Sequence, residues 1–382
     1  MKLQVFFLTF FLFIPFASAL EYVHFIHNGK DRHEEGKLLA EDRRGIDLLA
    51  RDGRAYHITR GNILSRRSDG APFTPYTKPE VLDRLKIEFP PSEGYNFHDP
   101  AAHGFYIVVY TTSPAFAHWY GRLLQRLHEQ YIVHWRKLGL ELTAPEFPMV
   151  AVVFANEPQY RRYAEQEGSR VSQGQRAYYN KLTNRIVLHD ISGVQAQQGG
   201  SRRATATDIQ RFLSQPASYD NISSLIHEAA HQVGFNAGMH SRFAPNPIWV
   251  YEGLAVYHEV PDQRNRELGW SIGPHINPSR LQRFRTYMDL PHRESPVLKM
   301  IRDDKLFNSP ETALDHYALA WAVTFFLVRT KPKEMAAYLK IQQGKTMHSE
   351  DSSEIRVKDF ESCFGSDWDK FYRDFAAFMR RL

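Results

Sequence analysis

The chain has 382 residues, of which 43% are hydrophobic and 13% aromatic, a composition that excludes a disordered protein and supplies large cores. Its net charge is only +5 and its basic residues are scattered, so composition gives little support to nucleic-acid binding. The single cysteine, Cys363, leaves no possibility of an intramolecular disulfide.

The first residues have the pattern of an export signal. Lys2 precedes an apolar run from Leu3 to Phe16, and Ala17-Ser18-Ala19 suits signal peptidase. The alternative is a retained membrane anchor, but the run is short for a bilayer span. We therefore expect residues 1–19 to be removed, no stable membrane span to remain, and the mature protein to be periplasmic, envelope-bound or extracellular.

Residues 20–70 predict a small β-rich unit. Their short apolar stretches are separated by turn-forming residues, a pattern typical of consecutive hairpins. The breaks are Arg44-Gly45, Asp52-Gly53 and Arg60-Gly61. The unit is either a structural appendage or a binding surface for cell-wall glycan or a partner. Residues 71–91 are proline-rich and predict a linker to a larger domain, residues 92–382.

Residues 92–200 alternate strand and helix patterns, which predicts an α+β half. The expected strands are Phe105–Thr111, Met149–Phe154 and Arg185–His189. A long helix between the first two carries an apolar stripe that should pack on the sheet, formed by Phe116, Tyr120, Leu123, Leu127, Tyr131 and Trp135. The polar segment Gln195–Thr207 predicts a mobile loop.

Residues 201–382 predict a helical half. One helix should begin near Asp220 or Asn221, and another at Ser309, which would cap a helix running to about Arg329. Residues 261–300 show no clean periodicity and predict irregular structure over the mouth of a cleft. The C-terminal aromatic residues recur at helical spacing and should be core: Phe360, Phe364, Trp368, Phe371, Phe375 and Phe378.

Two linked motifs predict a metal site in this half. In His227-Glu228-Ala229-Ala230-His231, the histidines project from one helix face and both can reach one Zn²⁺, while Glu228 can polarise a water molecule. The best third ligand is Glu252, in a second amphipathic segment. The alternative is a helix that merely contains two histidines, but the second motif makes coincidence much less probable.

The order of two histidines and a distant glutamate resembles that of the gluzincin zinc peptidases. In that group the ligand glutamate often stands in a Trp-x-x-Glu-Gly-x-Ala context, matched here by Trp249, Glu252, Gly253 and Ala255. From about Leu82 onward, segments such as FYIVVYTTS, HEAAHQVGFNAG and HYALAWAVTFFL also resemble an exported bacterial family known only as a domain of unknown function with a gluzincin-like core.

This resemblance implies a thermolysin-like domain, in which a mixed sheet and a helical half enclose a Zn²⁺ cofactor. It also implies a peptide or protein substrate laid along an edge strand beside the metal. The segment NRIVLHD, residues 184–190, is the expected edge strand.

A three-histidine metzincin pattern is the rival interpretation. Gly234 fits H-E-x-x-H-x-x-G-x-x-H, but Ala237 stands where the third histidine should be and His240 comes three residues too late. Gly234 and Gly238 are therefore expected to end the helix, and His240 to lie at the site rim or on the surface.

The resemblance also suggests roles for individual residues. Glu228 would be the general base. Tyr317 opens a segment similar to the aminopeptidase-like helix whose tyrosine donates to the oxyanion; it could equally be a core tyrosine, with His316 as the nearest substitute. Many thermolysin-like enzymes carry an acidic residue four positions after the ligand glutamate, but Val256 stands there, so support for His227 should come from elsewhere.

Together these features predict an exported zinc-dependent hydrolase that cleaves peptide or amide bonds. No Gly-x-Met-x-Asn element is found upstream, which favours endopeptidase over aminopeptidase action. The alternatives are a cell-wall amidase and an inactive gluzincin-fold protein that binds a partner or is structural.

Overall fold

A computed structural model describes residues 19–193 and 203–382, except residues 263, 266, 273, 274, 293 and 310. Residues 1–18 of the expected signal and most of the expected loop Gln195–Thr207 lie outside the described residues. The chain divides after Tyr76 into two compact units. The predicted α+β class with an N-terminal β unit is confirmed.

The N-terminal unit is an antiparallel sheet of five strands in the order β4-β3-β2-β1-β5. The strands are β1 (Ala19–His27), β2 (Lys30–Glu41), β3 (Gly45–Ala50), β4 (Ala55–Thr59) and β5 (Ile63–Pro72). Side chains alternate between the two faces of each strand, and one face supplies a small apolar core. Its buried members are Val23, Phe25, Ile46, Leu48, Ala50, Tyr56 and Ile58.

A helix lies where the sequence predicted a linker. Helix α1 (Lys78–Glu88) begins at a capping box: the Thr77 side chain accepts from the Glu80 N–H, and the Glu80 side chain accepts from the Thr77 N–H. Pro79 lies in the first turn of the helix. These start signals are present in the sequence, but the prolines around them favoured a linker.

The second unit contains a mixed sheet in the order β6-β7-β8-β10-β9. Its strands are β6 (Asn96–His98), β7 (Tyr106–Tyr110), β8 (Met149–Phe154), β9 (Ala177–Asn180) and β10 (Arg185–His189). Strands β7, β8 and β10 are parallel, whereas β6 and β9 are antiparallel to their neighbours. The prediction that residues 184–190 form the edge strand is therefore wrong, because β9 covers β10 on that side.

Two helices accompany this sheet, α2 (Pro114–Lys137) and α3 (Glu157–Gln166). All six residues of the predicted stripe on α2 are buried in the core that α2 shares with the sheet and the helical half. Burial of that stripe fixes α2 against the helix that carries the histidine motif.

The helical half begins with α4 (Ala206–Leu213), α5 (Tyr219–Asn236) and α6 (Ile248–His258). It continues with α7 (Pro278–Met288), α8 (Pro296–Arg302), α9 (Ala313–Thr330), α10 (Pro332–Gln343), α11 (Ser353–Phe364) and α12 (Trp368–Met379). Helices α7 and α8 occupy part of residues 261–300, where irregular structure was predicted. Helix α9 begins at Ala313 rather than at Ser309. Among the described residues, no helix is long and apolar enough to cross a membrane.

Candidate metal centre

Helix α5 carries the first motif and is tied to the sheet by a buried glutamine. Gln232 Nε2 donates to the carbonyl oxygens of Val150 (3.1 Å) and Asn184 (2.8 Å). On its buried side the helix packs Ile222, Leu225, Ile226, Ala229 and Val233, as the sequence predicts. Because Gln232 follows His231 directly, the same bonds that dock the helix also set the position of that histidine.

The structure brings the three predicted ligands together. His227 Nε2 lies 3.0 Å from His231 Nε2 and 3.1 Å from Glu252 Oε2, and His231 Nε2 lies 3.4 Å from the same carboxylate oxygen. All three side chains are largely buried. They form one of two clusters among the described residues whose donor atoms lie close enough to share a metal ion.

Glu252 reaches this position because α6 packs very closely against α9. A Cβ atom at Gly253 would lie 2.3 Å from Thr324 Oγ1 and 2.9 Å from the carbonyl oxygen of Ala320, so only glycine permits this approach. One turn earlier, the buried Trp249 stacks on Tyr338 at 5.5 Å. The spacing within the second motif thus has a packing explanation as well as a chemical one.

These residues fit a tetrahedral zinc ion. Ligands about 2.0–2.2 Å from zinc stand about 3.3 Å apart at the tetrahedral angle, close to the separations of these three atoms. Two imidazole nitrogens 3.0 Å apart can share only one proton. A divalent cation between them would satisfy both nitrogen lone pairs and the Glu252 carboxylate together.

A fourth residue, Glu259, orients His227 from behind. Its Oε2 accepts from His227 Nδ1 at 2.9 Å, which directs Nε2 at the ligand cluster. Its Oε1 accepts from Asn277 Nδ2 and Arg280 Nε, each at 3.0 Å. A carboxylate behind a metal-binding histidine fixes the ring and strengthens it as a ligand.

Glu259 is the support for His227 that the sequence interpretation failed to find. It follows Glu252 by two helical turns and therefore shares its face of the helix, so the spacing was a usable signal. His231 has no comparable support: its Nδ1 is buried without a hydrogen-bond partner among the described residues.

The charges at the centre are strongly coupled. Burial lowers the pKa of His227, but its hydrogen bonds with Glu252 and Glu259 outweigh that effect and raise the pKa to about 10. Burial also opposes ionisation of Glu252, whereas the charges and hydrogen bonds of His231 and His227 lower its pKa. The metal-free centre therefore holds a proton that a bound cation must displace.

Glu228 lies beside the three donors without joining them. Its Oε2 accepts from the backbone N–H of Tyr179 on β9 at 2.8 Å. Burial raises the pKa of Glu228, an effect that the neighbouring His227 and His231 oppose. A buried carboxylate with a raised pKa and a fixed orientation suits proton transfer.

Tyr317 also lies at the centre, with its ring centroid 6.4 Å from that of His227. The negative charge of Glu252, together with burial, raises the pKa of Tyr317, so the hydroxyl keeps its proton and can donate. His316 instead points away: it is 1% exposed, bonds the Thr312 carbonyl oxygen through Nδ1 and packs on Phe307. His316 is thus a poor substitute for Tyr317.

His240 is neither a ligand nor a surface residue. It is 2% exposed, packs on Phe235 and does not belong to the donor cluster. Gly234 does not end the helix, because α5 continues to Asn236; a side chain there would crowd His240 and Tyr131. Gly238, with φ +74°, does follow the helix end in the left-handed conformation that glycine favours.

A cleft of about 1100 Å³ opens at the centre and is lined by His227, Glu228 and Tyr317. Its other walls are mostly hydroxyl, amide and charged side chains, among them Ser223, Ser224, Arg280, Gln282, Arg283 and Thr286. Four of these belong to α7, so the segment predicted to be irregular instead supplies one helical wall.

One protein-family model matches the part of the chain that contains this centre. The family is described as "Protein of unknown function (DUF1570)", and the match covers residues 221–347, about one third of the chain. The matched range includes His227, Glu228, His231, Glu252 and Tyr317. No curated protein matches the sequence significantly.

Proposed function

We propose that the protein is an exported zinc-dependent hydrolase that cleaves peptide or amide bonds. The observation that carries this proposal is the triangle of His227, His231 and Glu252 donor atoms, 3.0–3.4 Å apart, with Glu228 held beside it. Structural zinc sites use four protein ligands, whereas three ligands leave one position open for water and substrate.

Bound Zn²⁺ would lower the pKa of a coordinated water molecule towards about 7 and polarise the scissile carbonyl group. Glu228 takes the proton released in the attack and later transfers a proton to the leaving amine. The Tyr179 N–H keeps one carboxylate oxygen of Glu228 in place. Tyr317, whose hydroxyl stays protonated, donates to the oxyanion that forms on the substrate.

Strand β9 is the proposed docking edge for the substrate backbone. The His189 N–H donates to the Arg176 carbonyl oxygen, so these two residues form a hydrogen-bonded pair next to the β9–β10 ladder. Hydrogen-bonded and non-hydrogen-bonded pairs alternate along an antiparallel ladder. Ala177 and Tyr179 therefore belong to non-hydrogen-bonded pairs and direct their backbone N–H and C=O groups away from β10. The Tyr179 N–H reaches Glu228. A peptide paired with this edge would pass directly beside the metal ligands, as in β-augmentation.

In the free protein, Gln175 occupies part of that edge. Its Nε2 donates to the outward carbonyl oxygen of Ala177 at 3.1 Å, where a substrate N–H would bond. Its Oε1 meanwhile accepts from the Ser172 N–H at 3.1 Å. Substrate binding therefore exchanges an internal hydrogen bond for an intermolecular one.

A gluzincin-type endopeptidase is the activity we favour. The ligand order and the position of Glu252 on the next helix agree with that group, and the cleft of about 1100 Å³ is slightly larger than the roughly 300–1000 Å³ typical of small-ligand pockets. A cell-wall amidase is the second candidate, because the hydroxyl- and charge-rich lining suits a hydrophilic amide substrate.

The test is digestion of a mixed-sequence peptide library, read by mass spectrometry. The zinc-loaded protein should cleave internal bonds, and a Glu228→Gln variant with the same zinc content should not. Cleavage only of cell-wall muropeptides would select the amidase. No turnover of either substrate class by a zinc-loaded protein would contradict the hydrolase proposal and leave a binding or structural role for the centre.

A further inference from the structure

A second group of metal-binding side chains lies in the N-terminal unit, on the hairpin formed by β1 and β2. The hairpin turn is Asn28-Gly29, both with positive φ (50° and 70°), which suits the twist of a two-residue hairpin. As a result of this turn, His24 lies directly opposite His33 on the neighbouring strand, and Ile26 lies opposite Asp31. The two histidines and Asp31 therefore lie on one face of the hairpin.

That face is opposite the small core. Val23 and Phe25, which flank His24 in sequence, are buried, whereas the side chains of Asp31 and His33 are 60% and 74% exposed. The cluster is accessible to ions from solvent. None of the three side chains belongs to the small core.

The donor atoms already stand at metal-sharing distances. His24 Nε2 lies 2.8 Å from Asp31 Oδ1, and His33 Nε2 lies 3.4 Å from the same oxygen. All three donors fall within 4.8 Å of one another. One Asp31 carboxylate oxygen therefore lies close to both ring nitrogens.

We propose that His24, Asp31 and His33 form a second binding site for a divalent transition-metal ion. Two imidazoles and one carboxylate are nitrogen and oxygen donors that suit Cu²⁺, Ni²⁺ and Zn²⁺, and the usual order of affinities places Cu²⁺ first. The site leaves coordination positions open to water. It does not depend on the hydrolase proposal, because it uses none of the residues of the metal centre.

Metal binding requires one small rearrangement. The His24 and His33 rings are stacked, with centroids 3.8 Å apart and planes 18° from parallel, and a metal cannot lie in both planes at once. His33 is the more exposed ring and can turn about its side-chain torsions at little cost. Tyr22 lies two residues before His24, on the same face of β1, and Arg67 stacks on its ring. The positive charge of Arg67 would repel a bound metal ion. We therefore expect weaker binding than at the buried centre.

The same unit contains a matched control. His57 and Asp47 face each other across β4 and β3 with Nδ1 2.7 Å from Oδ1; His57 is exposed and Asp47 is half-buried. This pair also joins a histidine to an aspartate across two strands, but among the described residues it has no third donor within the cluster distance. It should not bind metal measurably more than an isolated surface histidine.

The test is calorimetric titration of the full chain with Cu²⁺ and, separately, Zn²⁺. A His231→Ala background removes binding at the metal centre. His24→Ala, His33→Ala and Asp31→Asn should each weaken binding at least about tenfold, while His57→Ala should leave it unchanged. Electron paramagnetic resonance of the Cu²⁺ complex should show two imidazole nitrogens, and one after His33→Ala.

Unchanged affinity in His33→Ala and Asp31→Asn would overturn the proposal, as would an equal loss in His57→Ala. The first result would mean that another part of the chain binds the ion. The second would mean that exposed histidines bind it without a built site. Because His33 is largely exposed, its replacement should leave the melting temperature unchanged, so a loss of binding cannot be ascribed to unfolding.

Discussion

Replacing Glu259 by glutamine isolates the contribution of the carboxylate behind His227. The substitution preserves shape but removes the negative charge that accepts from His227 Nδ1 at 2.9 Å. The neutral amide is a weaker acceptor and no longer favours the His227 tautomer that directs Nε2 at the metal. The expected result is a loss of zinc affinity, with the three ligands still in place.

The magnitude follows from the contacts of Glu259. Losing a partner behind a metal-binding histidine typically weakens metal binding about 10–100-fold, or about 1.4–2.7 kcal/mol. The substitution also deprives Arg280, 3.0 Å away and mostly buried, of its charge partner, and breaking such a pair costs up to about 3–5 kcal/mol of stability. Metal affinity and folding must therefore be measured separately.

The assay is zinc competition against a chromophoric chelator, accompanied by thermal unfolding of the metal-free protein. Arg280→Gln is the matched control, since it removes the same ion pair but keeps the Glu259 carboxylate on His227. We expect both variants to be less stable and Glu259→Gln to bind zinc distinctly more weakly than Arg280→Gln. Equal zinc affinities in the two variants would refute the orienting role of Glu259.

Four further predictions concern the centre. Glu228→Gln should retain zinc and lose about 10²–10⁴-fold in kcat, measured with any peptide that the wild type cleaves. Tyr317→Phe should lower kcat about 10²–10³-fold with zinc content unchanged, whereas a core tyrosine would affect only stability. Gly253→Ala should cost about 1–3 kcal/mol in denaturant unfolding and weaken zinc binding, because α6 must move away from α9. Because the pKa of His227 is raised to about 10 in the metal-free protein, zinc must displace a proton below that pH. Zinc affinity should then rise about tenfold per pH unit up to about pH 10, and a flat profile between pH 7 and 9 would contradict this.

Local signals in the sequence were sufficient for several elements. Strands Met149–Phe154 and Arg185–His189 match their predicted bounds, since uninterrupted apolar runs flanked by polar turns are typical of buried parallel strands. The proximity of the two histidines was also predictable, because a spacing of four residues places His227 and His231 on one helix face whatever the surroundings.

Features that depend on neighbouring elements were not predictable in the same way. Whether β10 is an edge strand depends on the short strand β9, whose four residues carry too little periodicity to be recognised. Gly234 looked like a helix end, but packing against His240 and Tyr131 requires a small residue within the helix. Helix α7 was missed because its charged residues line a cleft, so its apolar stripe is reduced to Leu281 and Phe284.

The zinc content of the purified mature chain tests the central claim most directly. Mass spectrometry of wild type, His231→Ala and Glu252→Ala should be run beside His33→Ala, which controls for the proposed site on the hairpin. The account predicts about one tightly bound zinc per chain in wild type and His33→Ala, and none in the other two variants. A wild-type chain that takes up no zinc when zinc is offered, or variants that retain it, would contradict the proposed centre.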